Sequence, residues 1–119
     1  MGTQQTGNTG EQLARKCLKK KGYHILAENW HCQYGELDII AQQGQTIVFV
    51  EVKTRHGKNM TNAFAAITPS KRKKLITSAQ LYLSEHHYND MAWRIDAIGI
   101  TLHGRHAPQI VHVEDALDW

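Results

Sequence analysis

The sequence predicts an α/β fold in which a central β-sheet is flanked by helices. The candidate elements follow one another as helix, two or three strands, helix, and one or two strands. Residues 46–54 form a strand with apolar side chains on both faces, which is typical of a central strand covered on both sides. The 119 residues, 41% hydrophobic and 21% charged, fit one globular domain and exclude disordered, coiled-coil and collagen-like classes.

The first predicted element is an amphipathic helix. Residues 1–7 are small and polar, so we predict a mobile tail there and a single domain over residues 8–119. Asn8 and Glu11 have the spacing of a capping box, and Gly22 can take the left-handed conformation that ends a helix. The apolar stripe of this helix consists of Leu13, Ala14, Cys17 and Leu18.

The next predicted elements are strands. Residues 23–29 have a weak strand pattern, whereas residues 35–42 and 46–54 have strong ones and are linked through Gly44, which predicts a β-hairpin. Side chains alternate between the two faces of a strand. In the second hairpin strand one face therefore carries Val48, Val50 and Val52, and the other carries Ile47, Phe49, Glu51 and Lys53.

A second helix and further strands complete the fold. Pro69 after Thr68 predicts a helix start, and the helical pattern continues to about His86. Residues 94–102 predict another strand, and residues 109–113 a last one. The apolar face of the helix consists of Leu75, Ile76, Ala79 and Leu83.

Composition also limits the localisation. Apolar stretches such as residues 47–50 are far too short to span a membrane, and the N-terminus lacks the basic and apolar regions of a secretory signal. We therefore expect a cytoplasmic protein with no membrane partner. Cys17 and Cys32 fit a reducing compartment and cannot by themselves form a structural zinc site.

The predicted hairpin brings carboxylates together. With a two-residue loop at Gly44 and Gln45, Asp38 lies opposite Glu51, and Glu36 opposite Lys53. If the loop slips back by one residue, Glu36 replaces Asp38 opposite Glu51. Both registers therefore cluster acids on one face of the sheet, whereas a three-residue loop separates them.

Opposed carboxylates on a partly covered face repel each other and need a compensating cation. Lys53 is one candidate, and a divalent metal is the other. Magnesium prefers hard oxygen ligands and typically uses one or two carboxylates together with substrate phosphate. Two carboxylates, a metal and a lysine are suited to phosphodiester hydrolysis, in which metal-activated water attacks and lysine neutralises the developing charge.

Basic residues are concentrated in one region. The net charge of +3 decides nothing, but half of the 14 Lys and Arg residues lie between Val52 and Lys74 with no acid among them. Cations just after Pro69 oppose the helix dipole, and phosphate binding would compensate for this; a solvated basic face is the alternative. The DNA-binding candidates are Arg55, Lys58, Lys71, Arg72, Lys73 and Lys74.

These residues resemble two known groups of proteins. Asp38, the hairpin, and residues 51–53 reproduce the PD-(D/E)XK arrangement of restriction-endonuclease-like nucleases, with Leu37 in place of the usual proline. More closely, the chain from Gly10 onward resembles the bacterial YraN family, which is thought to be distantly related to archaeal Holliday-junction resolvases. The matching segments are GELDII, VFVEVKTR, AFAAIT with its following basic helix, RIDAIGI and IVHVEDAL.

The resemblance implies a restriction-endonuclease-like fold and a metal-dependent endonuclease acting on DNA. Asp38, Glu51 and the backbone carbonyl of Val52 would hold Mg²⁺ or Mn²⁺, and Lys53 would assist the attacking water. Glu11 matches the acidic residue that resolvase-like members bring from their first helix. The substrate would be branched DNA, and a homodimer would place two sites on two strands. A chain this short has little room for base reading, so structure-selective or nonspecific cutting is expected.

Each of these residues also has a simpler interpretation. Asp38, Glu51 and Lys53 could form only a cross-strand ion-pair network, although apolar neighbours on the same face argue against full exposure. Glu11 is also explained by helix capping, and Glu36 is interpreted as a partner that orients Lys53. A structural role is favoured for Asp96 and the scattered histidines, whereas Trp30, in a predicted loop, is open to a packing or a base-stacking role.

Two other functions remain open from the sequence. One is a nucleic-acid-binding module that keeps the fold without catalysis, for which DNA binding would survive loss of Glu51. The other is an adaptor for a protein partner, which would not bind DNA at moderate salt.

Overall fold

The computed structural model describes residues 3–57 and 68–117, and only the backbone of residues 3–8. A five-stranded sheet has the order β1-β2-β3-β4-β5, with β3 and β4 parallel and the other neighbours antiparallel. The elements are α1 (Thr3–Lys20), β1 (His24–Cys32), β2 (Gly35–Gln43), β3 (Thr46–His56), α2 (Pro69–Glu85), β4 (Ala92–His103) and β5 (His106–Val113). The predicted order of elements is confirmed.

Strand β3 lies at the centre of the sheet, and a helix covers each face. Ile47 and Phe49 pack in one buried cluster with side chains of α2, including Leu75. Val48 and Val50 pack on the opposite face, in a cluster with side chains of α1. Both faces of β3 are therefore buried, as the sequence predicts. The charged residues Glu51 and Lys53 follow Phe49 on the α2 face by alternation.

The parallel pair of β3 and β4 extends the sheet beyond the hairpin. A parallel pair needs a long crossover connection, and α2 lies in that connection. The pairing runs from Thr46 opposite Ala92 to His56 opposite Leu102. The β3 end that carries Glu51 is thus held by pairing with β4 along its whole length.

The hairpin of β2 and β3 has the first of the two predicted registers. Gln43 pairs with Thr46 and Ile39 with Val50, so Gly44 and Gln45 form the loop. Gly44 has a φ of 58°, in the region that a primed hairpin turn requires. Continuation of this register beyond Ile39 places Asp38 level with Glu51.

The first helix begins earlier than the sequence predicts. It starts at Thr3, so residues 3–7 are helical rather than a tail, and the capping box at Asn8 does not mark the start. Capping is a local signal, and the same residue types also occur inside helices when tertiary packing supports them. Gly10 is buried against Thr54 of β3, and this contact lies within the first half of α1.

The first strand also extends further than predicted. It continues to Cys32, so Trp30 lies in β1 rather than in a loop. The ring of Trp30 packs edge to face with Tyr82 of α2 at a centroid distance of 5.3 Å. Burial against α2 therefore explains Trp30, and a packing role is confirmed.

The second helix begins where the sequence predicts. Thr68 is the N-cap, and its hydroxyl accepts a hydrogen bond from the backbone N–H of Lys71 at 3.2 Å. Pro69 occupies the first turn, where its missing N–H costs nothing. Neither described helix has the length and apolar character needed to cross a membrane.

Candidate functional site

Asp38 and Glu51 form the centre of the candidate site, at the end of the β2–β3 hairpin. The described pairing of the two strands ends at Ile39 and Val50. Beyond that point, the backbone N–H of Val52 donates to Oδ2 of Asp38 at 2.8 Å. This hydrogen bond holds the Asp38 carboxylate against β3, beside Glu51.

Two lysines contact Glu51, which is only 7% exposed. Nζ of Lys53 lies 3.1 Å from Oε1 of Glu51, and Nζ of Lys71 lies at the same distance from the same oxygen. Lys53 comes from β3 itself, whereas Lys71 reaches the site from the first turns of α2. A carboxylate this buried needs such compensation, because burial without a partner disfavours its charge.

The pKa of Asp38 is raised to about 7. Burial is the main cause, and the negative charge of Glu51 adds to it; the hydrogen bond from Val52 acts in the opposite direction. Near neutral pH, Asp38 therefore exchanges readily between its protonated and ionised forms. Perturbed carboxyls of this kind, in a cleft with a specific charged neighbour, are typical of functional sites.

Lys71 remains a charged partner of this pair. Burial opposes its charged form, but its hydrogen bonds and the charges of Glu51 and Asp38 raise its pKa. The sequence predicts Lys71 as a DNA-binding residue and gives no sign of its contact with Glu51. The contact depends on how α2 crosses the sheet, and a local pattern does not contain that information.

Glu11 approaches the site from α1. Burial raises its pKa, and the nearby charges of Glu36 and Glu28 raise it further. The negative charge of Glu11 also contributes to the raised pKa of Asp38. The structure thus brings Glu11 into the same electrostatic environment as the central pair, as its candidate role requires.

Asn29 links two of these acids and was not found by sequence reasoning. With its amide nitrogen turned towards the acids, Asn29 donates to Glu36 at 3.2 Å and to Glu11 at 3.3 Å. Its φ of 51° is left-handed, a conformation that Asn tolerates better than most residues. The only available signal was an Asn within a weak strand pattern.

Glu36 does not contact Lys53 as interpreted from the sequence. Its described ion pair is with His31, at 3.7 Å, whereas Lys53 is paired with Glu51. The reason is that the described pairing of β2 and β3 ends at Ile39, so the two residues are not held opposite each other. Glu36 instead lies against β1, which pairs with this part of β2.

A cleft of about 270 Å³ opens beside the two carboxylates, which we call the site cleft. It lies between the β1–β2 turn, the carboxylate end of the hairpin and one face of α2. It is lined by Tyr34, Gly35, Glu36, Asp38, Glu51, Lys71, Lys74, Leu75 and Ser78.

Of the other predicted DNA-binding residues that the structure describes, Lys74 is the one that lines this cleft. On the same helix, Lys73 is exposed and Arg72 is half-buried. Arg55 is exposed near the end of β3. Lys58, together with most of the AFAAIT segment, lies outside the described residues.

The donor set fits a hard divalent cation with few protein ligands. In the described part of the chain, no group of three or more His, Cys, Asp or Glu side chains is arranged to hold a metal. Mg²⁺ does not need such a group, because it usually keeps several waters and uses one or two carboxylates. Asp38 and Glu51 can supply these, provided that Glu51 exchanges a lysine contact for the metal.

A second buried polar cluster lies on the α1 face of the sheet. Asp96 is fully buried and accepts hydrogen bonds from Arg94 at 2.9 Å, from Nε2 of His112 at 2.8 Å and from the backbone N–H of Asp115 at 3.0 Å. Nδ1 of His112 lies 2.9 Å from Nζ of Lys21. These contacts tie β4, β5 and the C-terminal turn together and support the structural role predicted for Asp96.

The fold and the site together define a class of protein. A five-stranded mixed sheet with a helix on each face is compatible with a restriction-endonuclease-like fold, and its hairpin carries an Asp, a Glu and two lysines. Residues 10–100 match the uncharacterised protein family UPF0102. The chain belongs to this family, which is the YraN family named from the sequence, so that resemblance is confirmed.

Curated relatives that match this chain over most of their length are also UPF0102 proteins. A UPF0102 protein of Mycolicibacterium vanbaalenii is 38% identical over 110 residues, covering 92% of this chain and 91% of the relative. One from Chloroflexus aurantiacus is 43% identical over 108 residues, covering 90% and 88%. One from Nocardia farcinica is 40% identical over 111 residues, covering 93% and 87%.

Proposed function

We propose that this protein is a metal-dependent endonuclease that hydrolyses DNA phosphodiester bonds. One observation carries the proposal: Glu51, buried beside Asp38, is contacted by two lysines in an open cleft. A purely structural ion pair does not need a carboxyl with a pKa of about 7 next to it. A centre that must bind a cation and then a phosphate does benefit from such a group.

Asp38 and Glu51 are the residues that would hold Mg²⁺ or Mn²⁺, with the carbonyl of Val52 as a further ligand. When bound, such an ion activates water and polarises a phosphoryl oxygen. The N–H of Val52 keeps Asp38 oriented. A cation held there would favour the ionised form of Asp38, with its proton released to solvent. Glu11 and Glu36, joined through Asn29, add negative potential that favours the cation.

Lys53 and Lys71 have the complementary role of stabilising phosphate. Both contact Oε1 of Glu51, so a ligand that takes over this oxygen would free both ammonium groups beside Glu51, that of Lys71 within the cleft itself. There they neutralise the charge that develops on the phosphoryl oxygens, and Lys53 also assists the attacking water. Lys74, which lines the cleft, together with Arg55, Arg72 and Lys73, would contact flanking phosphates.

The proposed substrate is DNA, which the protein cuts either at a particular DNA structure or without selectivity. Phosphate contacts position a protein on DNA, whereas base contacts specify the sequence. Lys71 and Lys74 line the cleft from α2 and can contact the phosphate backbone, and this supports recognition of backbone geometry. Branched DNA is the proposed substrate, and a homodimer would act on two strands.

The test is cleavage of labelled four-way junction, flap, single-stranded and linear duplex DNA in Mg²⁺ or Mn²⁺. We expect metal-dependent products that are lost in Glu51→Gln and Lys53→Ala. Lys16→Ala, at an exposed position of α1, is the matched control and should keep full activity. Products that persist in Lys53→Ala come from a contaminant and count against the proposal.

A DNA-binding module without catalysis is the second candidate. It is favoured by the contact of both lysines with Glu51, an arrangement that a stable ion-pair network would also have. This candidate predicts salt-sensitive DNA binding that survives Glu51→Ala, with no products in any metal. Metal-dependent binding that is lost in the same variant favours the enzyme.

A further inference from the structure

The site cleft extends well beyond the two carboxylates. Lys71, Lys74 and Ser78 line it from one face of α2, at positions separated by three and four residues. Between the first and last of these residues the helix rises by about 10 Å. Lys71, at one end of this row, contacts Glu51. Ser78, at the other end, has no part in the proposed hydrolysis.

The Ser78 end of the cleft differs in character from the carboxylate end. Leu75 and Ser78 are buried and form its floor, and the Ser78 hydroxyl lies 3.4 Å from Sγ of Cys32. Gly35 brings the β1–β2 turn close to the helix, since a Cβ at this position would lie 4.0 Å from Oγ of Ser78. The floor therefore carries no charge, and the walls stand close together.

Tyr34 stands at this end of the cleft with 41% of its surface exposed. It lies in the turn between β1 and β2, next to Gly35. An exposed aromatic ring beside a cleft that carries two lysines on its α2 side is a surface on which a nucleic-acid base can stack. Among the described residues, the aromatic ring contacts involve side chains other than Tyr34, so its ring is not stacked on another aromatic ring there.

The size of the cleft and the positions of its lysines fit a single nucleotide. Its 270 Å³ lies below the usual 300–1,000 Å³ of sites for drug-sized ligands, so it has room for about one nucleotide. Lys71 and Lys74 provide positive charge for a phosphate on the α2 side, whereas the carboxylates of the lining lie on the hairpin side, where the cation of the proposed function would be held. Tyr34 provides the stacking surface. A base held in duplex stacking cannot enter such a space, whereas an unpaired base can.

We infer that the cleft between Tyr34 and α2 is a subsite for one unpaired nucleotide next to the phosphate that is cut. This inference rests on the proposed function and narrows its substrate class. DNA with single-stranded character at the cut, as in flaps, frayed ends or branch points, is bound in preference to continuous duplex. Tyr34 stacks on the base, and Lys74 contacts its phosphate.

The test compares binding and cleavage by the full chain and its Tyr34 variants. Fluorescently labelled single-stranded and blunt duplex oligonucleotides are titrated in EDTA, and flap cleavage is followed in Mg²⁺ or Mn²⁺. Tyr34→Ala should lose about 5- to 150-fold in single-strand affinity, the range expected when one stacked base is lost. Its duplex affinity should change less than twofold. Tyr34→Phe should behave as the unsubstituted protein, because the ring remains.

Other outcomes overturn the inference in distinguishable ways. If Tyr34→Ala loses affinity equally for single-stranded and duplex DNA, or loses none, the subsite is contradicted. The proposed function still stands in that case if metal-dependent cleavage persists. Absence of both cleavage and binding by the unsubstituted protein removes the function and the subsite together. Tyr34→Leu keeps apolar bulk at the turn, so full single-strand affinity in this variant would also contradict stacking.

Discussion

Nζ of Lys71 lies 3.1 Å from Oε1 of Glu51, the same oxygen that Lys53 contacts. This relationship explains why a cation is placed in the first turns of α2, where the helix dipole disfavours it. The negative charge of the buried Glu51 carboxylate, together with that of Asp38 when ionised, stabilises the charged form of Lys71 and offsets that cost. Helix α2 therefore supplies Lys71 as a second cation beside Lys53, which comes from the β-hairpin itself.

The contact predicts that Lys71 contributes to cleavage as well as to DNA binding. Lys71→Ala should lower the cleavage rate at saturating DNA by about 100-fold, the scale observed when one preorganised charge-stabilising donor is removed. Lys19→Ala, an exposed control on α1, should leave the rate unchanged. Single-turnover cleavage is the measurement. A Lys71→Ala variant that binds DNA more weakly but cuts at the full rate once saturated would restrict Lys71 to binding.

The raised pKa of Asp38 predicts a stability change with pH. The folded chain keeps this proton up to about pH 7, whereas an unfolded Asp loses it near pH 4. The folded state therefore binds more protons between these values, and the free energy of unfolding contributed by Asp38 falls as pH rises through this window. Asp38→Asn cannot ionise and should gain up to about 4 kcal/mol over the unsubstituted chain at pH 8, since each pKa unit of difference corresponds to about 1.4 kcal/mol.

Urea unfolding of both chains at pH 4.5 and pH 8 measures this difference. The advantage of Asp38→Asn should shrink to about 1 kcal/mol at the lower pH, because Asp38 is then protonated in the folded state and the pH is close to the pKa of the unfolded Asp. Asp90→Asn, at an exposed turn position, is the control. An advantage that is independent of pH would show that ionisation of Asp38 is not its cause.

The same titration predicts a pH-dependent effect of divalent metal. Mg²⁺ or Mn²⁺ competes with the proton for Asp38, so metal should raise the Tm more at pH 8 than at pH 6. Glu51→Gln should abolish the increase. Thermal unfolding with metal, with EDTA, and with KCl at matched ionic strength separates specific binding from screening. An increase that KCl reproduces would argue against a metal site at Asp38 and Glu51.

The register of the hairpin could be predicted because two local signals agree on it. Gly44 fits the turn, and the two-residue period of apolar side chains places Ile40 opposite Phe49 as observed. Such agreement fixes which face every following residue occupies. The positions of Asp38, Glu51 and Lys53 on one end of the hairpin followed from this register alone.

The parts of the site that were missed depend on contacts between distant segments. Lys71 reaches Glu51 only because α2 packs on the sheet, and Asn29 reaches Glu11 only because β1 and α1 meet beside the hairpin. The predicted start of α1 at Asn8 was wrong for a related reason. A capping pattern reports local preference, and tertiary packing around Gly10 can override it.

The buried cluster around Asp96 predicts a large structural contribution from that residue. Asp96→Ala leaves Arg94 without its buried partner and should cost about 3–5 kcal/mol of unfolding free energy. Burial tends to raise the pKa of Asp96, but hydrogen bonds from His112 and Arg94 outweigh it and lower the pKa. Its contribution is thus present above about pH 4 and lost as pH falls further.

Urea unfolding at pH 7 measures this loss, with Asp90→Ala as the exposed control. The two aspartates differ in burial, so the comparison isolates the cluster from the general effect of removing a carboxylate. A cost below about 1 kcal/mol, the usual limit for a surface ion pair, would contradict the structural role.

The approach of α1 to β3 predicts a clash that a second substitution relieves. A Cβ at Gly10 would overlap Oγ1 of Thr54. Gly10→Ala should therefore destabilise the chain by about 1–3 kcal/mol, as overpacking does, although Ala is otherwise the better helix former. In a Thr54→Ala background the nearest remaining atom is Cβ of residue 54, at 3.1 Å. The cost should then fall by more than half.

A double-mutant cycle in urea unfolding measures the coupling between the two positions. Because Gly10 lies one residue before Glu11, the cycle also tests how Glu11 is brought to the site. If Gly10→Ala pushes α1 away from β3, the cleavage rate should fall with stability and recover in the double variant. Equal costs of Gly10→Ala in both backgrounds would mean that the helix is not held against Thr54, and Glu11 would then need another element to position it.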